Sequence, residues 1–302
     1  MKVELSNHFL FWLLTLIVFC FAFLAPSLQQ GMVLDGVVYS TIARNLSQSA
    51  GNFWVPRYTA TVHAAFFEHP PLVFGIQALF FKILGDTLFV ERIYTFLTAI
   101  ITGVIIVLIW RLIFRNDKEL RKYSWLPLIL WSILPINIWS YSNNLLENTM
   151  GIFALAAIAL MIMDIKIDSY LFALGSGVMI FLAVFSKGPT GFFPAAFYLL
   201  AWLVFRDISG RRALINSLLI IFIPLLIFSL LLLYPPAREN FFGYISYQIL
   251  PSLKGDRLWG GEMRRYFILH ILFIYTLPMT VISMGVIFWG VIKNRLYFLQ
   301  RI

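Results

Sequence analysis

The sequence predicts an all-α fold, a polytopic transmembrane helical bundle of about eight spans, on three observations. First, 61% of its 302 residues are hydrophobic and only 12% are charged, against roughly 25% charged in a soluble domain. Second, the apolar residues fall in long runs, giving a mean hydropathy of +0.86. Third, the Lys and Arg residues collect in alternate connections between those runs, as cytoplasmic loops of membrane proteins do.

The formal net charge is +9, from 23 Lys and Arg against 14 Asp and Glu. In a soluble chain this would suggest nucleic-acid binding. Here the basic bias of cytoplasmic loops accounts for it, and no nucleic-acid partner is expected. The single cysteine, Cys20, excludes an internal disulfide and a Cys-based metal cluster.

A helix needs about 20 apolar residues to cross the bilayer core. The expected spans are 9–27, 89–113, 124–141, 145–163, 170–186, 189–205, 213–234 and 267–291. The first follows Lys2 and ends at Ala25-Pro26-Ser27. The proline makes this a poor cleavage site, so the segment reads as a retained helix. After the second span come Arg111, Arg115, Lys118, Arg121 and Lys122; after the sixth, Arg206, Arg211 and Arg212; after the eighth, Lys293, Arg295 and Arg301. With both termini inside, all three groups lie on the cytoplasmic side. The Asp164–Asp168 connection is also inside and carries no basic bias.

The chain then reads as one transmembrane domain, 1–302, with outer segments 28–88 and 235–266. Within the first, Tyr39, Ile42 and Leu46 form an apolar helical face over 35–46. The run 70–84 contains Gln77 and Lys82. At 1.5 Å per residue it extends about 22 Å, too short to cross, and it reads as an interfacial or re-entrant helix.

Polar residues left over at outer span ends are the candidate site. Asp35 opens the first outer helix, where it serves equally well as a cap. Glu68 and His69 precede Pro70-Pro71, which would hold them at a helix entrance. Asn143, Asn144, Glu147 and Asn148 begin the fourth span, and Lys187 sits in the turn Ser186-Lys-Gly-Pro-Thr-Gly191. Such a lysine either snorkels or offers a point charge to a phosphate. The second outer segment holds Arg238, Lys254, Arg257, Arg264 and Arg265 against three acids, an outer basic excess that suggests an anionic ligand or lipid headgroups. There is no zinc signature; an acid-assisted divalent ion stays open.

The words Asp35-Gly-Val-Val-Tyr39, Phe67-Glu-His-Pro-Pro-Leu72, Glu91-Arg-Ile93, Ser142-Asn-Asn-Leu-Leu-Glu147, Ser186-Lys-Gly-Pro-Thr-Gly191 and Arg264-Arg-Tyr-Phe267 occur in that order. The chain thereby resembles the polytopic glycosyltransferases of the GT-C class, within them the aminoarabinose transferase and dolichyl-phosphate-mannose protein mannosyltransferase superfamily. The resemblance implies a sugar donor linked to polyprenyl phosphate, used at the outer face of the cytoplasmic membrane, with no cofactor and no obligate protein partner. The acceptor would be a lipid, glycan or protein.

By the same resemblance Asp35 is the catalytic base and Glu68 the second acid of the site. Lys187, Arg57, His69, Arg265, Tyr39 and Glu147 would bind the donor phosphate or the substrates. Relatives often carry aspartate in the fourth-span motif where this chain has Asn144, and they are longer. A truncated form is therefore one expectation. A transporter or flippase, or a membrane scaffold, is the rival reading. A transporter predicts polar residues reaching the midplane and internal repeats, neither of which is evident.

Overall fold

The structure, a computed structural model, describes residues 7–29, 31–206, 208–254 and 267–299. Among them there are helices and no strand, apart from an isolated bridge between Gly51 and Pro56. Helix α1 (Asn7–Ser27) leads to α2 (Leu34–Ser47) and α3 (Leu72–Leu84). After α4 (Val90–Ile113) come the single-turn α5 (Lys118–Arg121), then α6 (Trp125–Ser132) and α7 (Pro135–Ser142). Helices α8 (Leu146–Ile167) and α9 (Tyr170–Lys187) follow. An irregular stretch comes next: a 3-10 segment (Pro189–Ala196), α10 (Phe197–Leu200) and a π turn (Ala201–Phe205). Then come α11 (Gly210–Leu231), α12 (Pro235–Tyr244), a second π turn (Ile245–Ile249), α13 (Leu250–Lys254) and α14 (Phe267–Leu299).

Five of these helices, α1, α4, α8, α9 and α11, are long and apolar enough to cross a membrane. Their outward side chains are apolar and exposed, such as Leu171 at 75% and Val104 at 63%. In water that would be an aggregation hazard; in lipid it is the expected surface. The expected span 124–141 is a broken one: α6 and α7 have 8 residues each. The break falls at Leu134, which precedes Pro135 and is extended at φ −71°, ψ 121°, because a residue before proline is driven out of the helical region. The span expected over 189–205 is irregular for a related reason. Pro194 lies inside it without an N–H to donate, and the coil tightens to 3-10 before loosening to π.

Inside the bundle the helices approach through small and hydroxyl residues, as lipid-embedded helices do. A Cβ on Gly177 of α9 would lie 2.7 Å from Ile223 Cβ of α11, and one on Gly191 would lie 2.4 Å from the Ala183 carbonyl carbon. On α4 the buried stripe Thr95, Thr98, Ala99, Thr102 and Gly103 faces inward. Thr102 Oγ1 lies 2.9 Å from Tyr141 Oη of α7.

Long-range contacts sort the helix ends into two groups. Arg92, at the start of α4, reaches the carbonyls of Gly31 and Ser142, while Lys187, ending α9, pairs with Glu147, beginning α8. Arg212 of α11 reaches Asp164 of α8, and Lys166 donates to the Ile113 carbonyl. One end of the bundle therefore carries α2, α3 and the turns at 143–145 and 188. The other carries the basic connection after α4 and the start of α11, as the alternation in sequence predicts.

Candidate active site

The site is built on α2. Its apolar face, Tyr39 and Ile42, joins Phe66, Val73, Phe74, Tyr94 and Leu146 in one buried cluster. The α3 expected over 70–84 is present as a 13-residue amphipathic helix with Pro71 as N-cap. It buries Val73, Phe74, Gln77, Ala78 and Phe81 against α2 and its neighbours. At this length it does not span.

The turn between α7 and α8 pins α2 in place. Val33, the N-cap residue of α2, donates its N–H to Asn143 Oδ1 at 2.7 Å. Gly36 sits so close to that turn that a Cβ would lie 2.0 Å from the Asn143 carbonyl oxygen. Asn144 takes the left-handed conformation (φ 51°) and is 1% exposed. Its amide donates to Ser40 Oγ at 3.3 Å and exchanges bonds with Gln77 of α3 at 2.9 and 3.1 Å. Arg92 adds a clamp, Nη1 to the Ser142 carbonyl and Nη2 to the Gly31 carbonyl, both at 2.5 Å. Buried amides and a buried guanidinium with partners are specific anchors, since leaving any of them unmatched costs about 1–3 kcal/mol.

This seating fixes Asp35. It is not the cap: Val33 holds that position, and Asp35 is exposed in the first turn of α2. A carboxylate there is favoured by the positive end of the helix. One turn on, Tyr39 Oη lies 3.0 Å from His69 Nε2, with the rings edge-on at 5.5 Å. Burial, then the charges of Asp35 and Glu68, push the Tyr39 phenol well above its ordinary range. The phenol therefore stays protonated, and both carboxylates are near enough to act on it. Glu68 and His69 are half-buried.

From the other side comes the Lys187–Glu147 ion pair, and the Asp35 charge acts on the same ammonium. The Lys187 side chain is 23% exposed and that of Glu147 42%, so both are partly open to solvent. Gly188 follows at φ 100°, where a Cβ would collide with the Tyr244 hydroxyl. Burial raises the Tyr244 phenol to about 12. Beside Gly188 opens an apolar cavity of about 220 Å³, lined among others by Trp54, Pro70, Phe185, Phe228, Phe241 and Tyr244.

Asp35, Tyr39, Glu68, His69, Glu147 and Lys187 thus meet at one end of the bundle. Arg57 is exposed, and its carbonyl accepts from Asn45. Arg265 lies outside the described residues. Among the described residues no three His, Cys, Asp or Glu side chains converge as metal ligands do. The anchoring roles of Asn143, Asn144, Gln77 and Arg92 were not apparent from sequence. The only signal was their polarity inside or beside apolar runs.

The family model of the dolichyl-phosphate-mannose-protein mannosyltransferases matches residues 68–236, more than half of the chain. Among solved structures, the chain is similar to ArnT from Cupriavidus metallidurans bound to undecaprenyl phosphate. The two are 17% identical, with a TM-score of 0.55 over 86% of this chain and 43% of that one. That likeness is one of fold, and the chain spans less than half the length of its solved relative. No curated protein matches the chain. On the extent of the family match, this multi-pass membrane protein belongs to the dolichyl-phosphate-mannose-protein mannosyltransferase family.

Proposed function

We propose that the protein is a membrane glycosyltransferase that moves a sugar from a polyprenyl-phosphate donor to a hydroxyl of a lipid, glycan or protein acceptor. The observation that carries this reading is the meeting of Asp35, Glu68 and the Lys187–Glu147 pair, from four separate chain segments, beside an apolar cavity. The basic connections lie at the opposite end of the bundle, so the site faces outward from the cytoplasmic membrane, with both termini inside.

The chemistry follows from charge. The acceptor O–H attacks the anomeric carbon while the carbon–oxygen bond to phosphate breaks on the far side, inverting that centre. The proton passes to Asp35, an exposed carboxylate free of an N-capping bond. The electron pair leaves on the polyprenyl phosphate, whose growing negative charge needs a fixed cation more than an acid. Lys187 supplies it by sharing its ammonium between Glu147 and the phosphate. Glu68, positioned with His69 and Tyr39, orients the sugar or acceptor, and Arg57 and Arg265 are further candidates for the phosphate. The apolar cavity beside Gly188 receives the first part of the polyprenyl tail.

The test supplies purified protein in lipid with radiolabelled polyprenyl-phosphate sugars and an extract of envelope acceptors. Transfer by the native chain, lost in a folded Asp35→Asn variant, is the expected result. Equal transfer by both removes Asp35 as base. No transfer with any donor returns the protein to the transport or scaffold readings.

A further inference from the structure

A second cavity, of about 540 Å³, lies behind α2, between the ends of α1 and α3 and the start of α4. Arg44 follows Asp35 by nine positions, about 180° around the helix at 100° per residue, so this cavity and the candidate active site use opposite faces of one helix. Its lining is amphiphilic. Met32, Val37, Phe81, Leu88 and Phe89 give the apolar part, and Leu88 and Phe89 are exposed where lipid would stand. Arg44, Asp86, Glu91 and Arg92 give two positive and two negative charges, a net of zero.

The charges are not equally satisfied. At the rim, Arg44 pairs with Asp86 at 2.5 Å, and Gln48 donates to the same carboxylate oxygen at 3.1 Å. Arg92 spends both terminal nitrogens on the carbonyls of Gly31 and Ser142. Glu91 is 8% exposed and lines the cavity; it forms no ion pair among the described residues, and the one cationic charge acting on it is that of its chain neighbour Arg92, whose terminal nitrogens are turned to those carbonyls. A carboxylate buried to that degree calls for a cation or strong donors. A net anionic headgroup would set like charge against it. A headgroup with an ammonium inside and a phosphate at the rim would match Glu91 and share the Arg44 guanidinium with Asp86.

We propose that this cavity is a lipid site for a phosphoethanolamine headgroup from the surrounding leaflet, with its ammonium on Glu91, its phosphate at Arg44 and its chains leaving past Leu88 and Phe89. The site is independent of the transferase reading. It abuts Gly31 and Arg92, so its occupant bears on the clamp that holds α2.

The test is native mass spectrometry of the delipidated full chain titrated with phosphatidylethanolamine, phosphatidylcholine or phosphatidylglycerol. One phosphatidylethanolamine is expected to bind with clear preference over the other two. Glu91→Gln should weaken it by about tenfold or more, the loss of one charge-assisted hydrogen bond. Thr41→Trp, which fills the cavity from α2, should remove it. Arg111→Ala, at the opposite end of α4, should leave it unchanged. Equal binding of the three lipids overturns the proposal, as does undiminished phosphatidylethanolamine binding in Thr41→Trp. That second variant keeps the test decisive if Glu91→Gln does not fold.

Discussion

The two ends of the bundle both hold charged residues, and they hold them differently. At the basic end Asp164 is completely buried. Its Oδ2 accepts from Tyr198 Oη at 2.8 Å and Asn216 Nδ2 at 2.5 Å, and its Oδ1 from Arg212 at 3.0 Å. Arg212 also pairs with Asp168 and lies over the Tyr170 ring at 5.8 Å. The carboxylate is held by three partners from α10 and α11. At the α2 end Asp35 is exposed, while Lys187, Glu147, Glu68 and His69 are only partly covered. Fixed anchors lie one layer behind, in Asn143, Asn144, Gln77 and Arg92. A closed network joins helices; an open one on a rigid seat leaves its charges available for exchange.

Three substitutions separate those roles. The largest effect belongs to Asp164→Ala. Removing the buried carboxylate leaves Tyr198 and Asn216 without their acceptor and Arg212 with Asp168 alone, and should cost about 3–5 kcal/mol of stability, read as a lower melting temperature in detergent. Transfer by the protein that remains folded should be near normal. Asp35→Asn should do the reverse: about 10²- to 10⁴-fold slower transfer, the usual worth of a general base, at an unchanged melting temperature. A variant at either position that loses both properties equally would break the distinction between the ends. Gly36→Ala comes between the two kinds. Its methyl would meet the Asn143 carbonyl, and overpacking of this sort costs about 1–3 kcal/mol. Because the strain falls on the seat of Asp35, the transfer rate should fall further than stability alone explains, with donor affinity little changed. Rate and affinity measured together decide it.

Much of this arrangement could be read from sequence, for identifiable reasons. The five long helices announce themselves as apolar runs. The run 70–84 was separable from a span by length and by Gln77, which proves to be a buried partner of Asn144. The break at Leu134 and the irregular stretch after Lys187 were signalled by prolines, but apolarity masked them. Asp35, Glu68, Glu147 and Lys187 were identifiable as polar residues left at span ends on one side. Their anchors were not, because the Val33–Asn143 bond joins positions 110 apart. The closed cluster was missed altogether. The connection 164–168 looked neutral in its charge balance, and nothing local tells that Asp164 is turned inward toward Tyr198 and Asn216.

The smallest effect sharpens the comparison most. Arg44 and Asp86 lie 2.5 Å apart, closer than Arg212 and Asp164 at 3.0 Å. Yet their side chains are 53% and 44% exposed, against 18% and 0% for the second pair. If distance set the value of an ion pair, Arg44→Ala would be the more damaging change. If burial does, water already solvates both partners and screens their attraction, and little is lost when one goes. The expected result is a melting temperature for Arg44→Ala that matches the native chain at 0.15 M salt, beside a clear drop for Asp164→Ala. Equal drops would mean that the rim of α2 is held as firmly as the closed end, and that the seat of Asp35 depends on more than Asn143, Asn144 and Arg92.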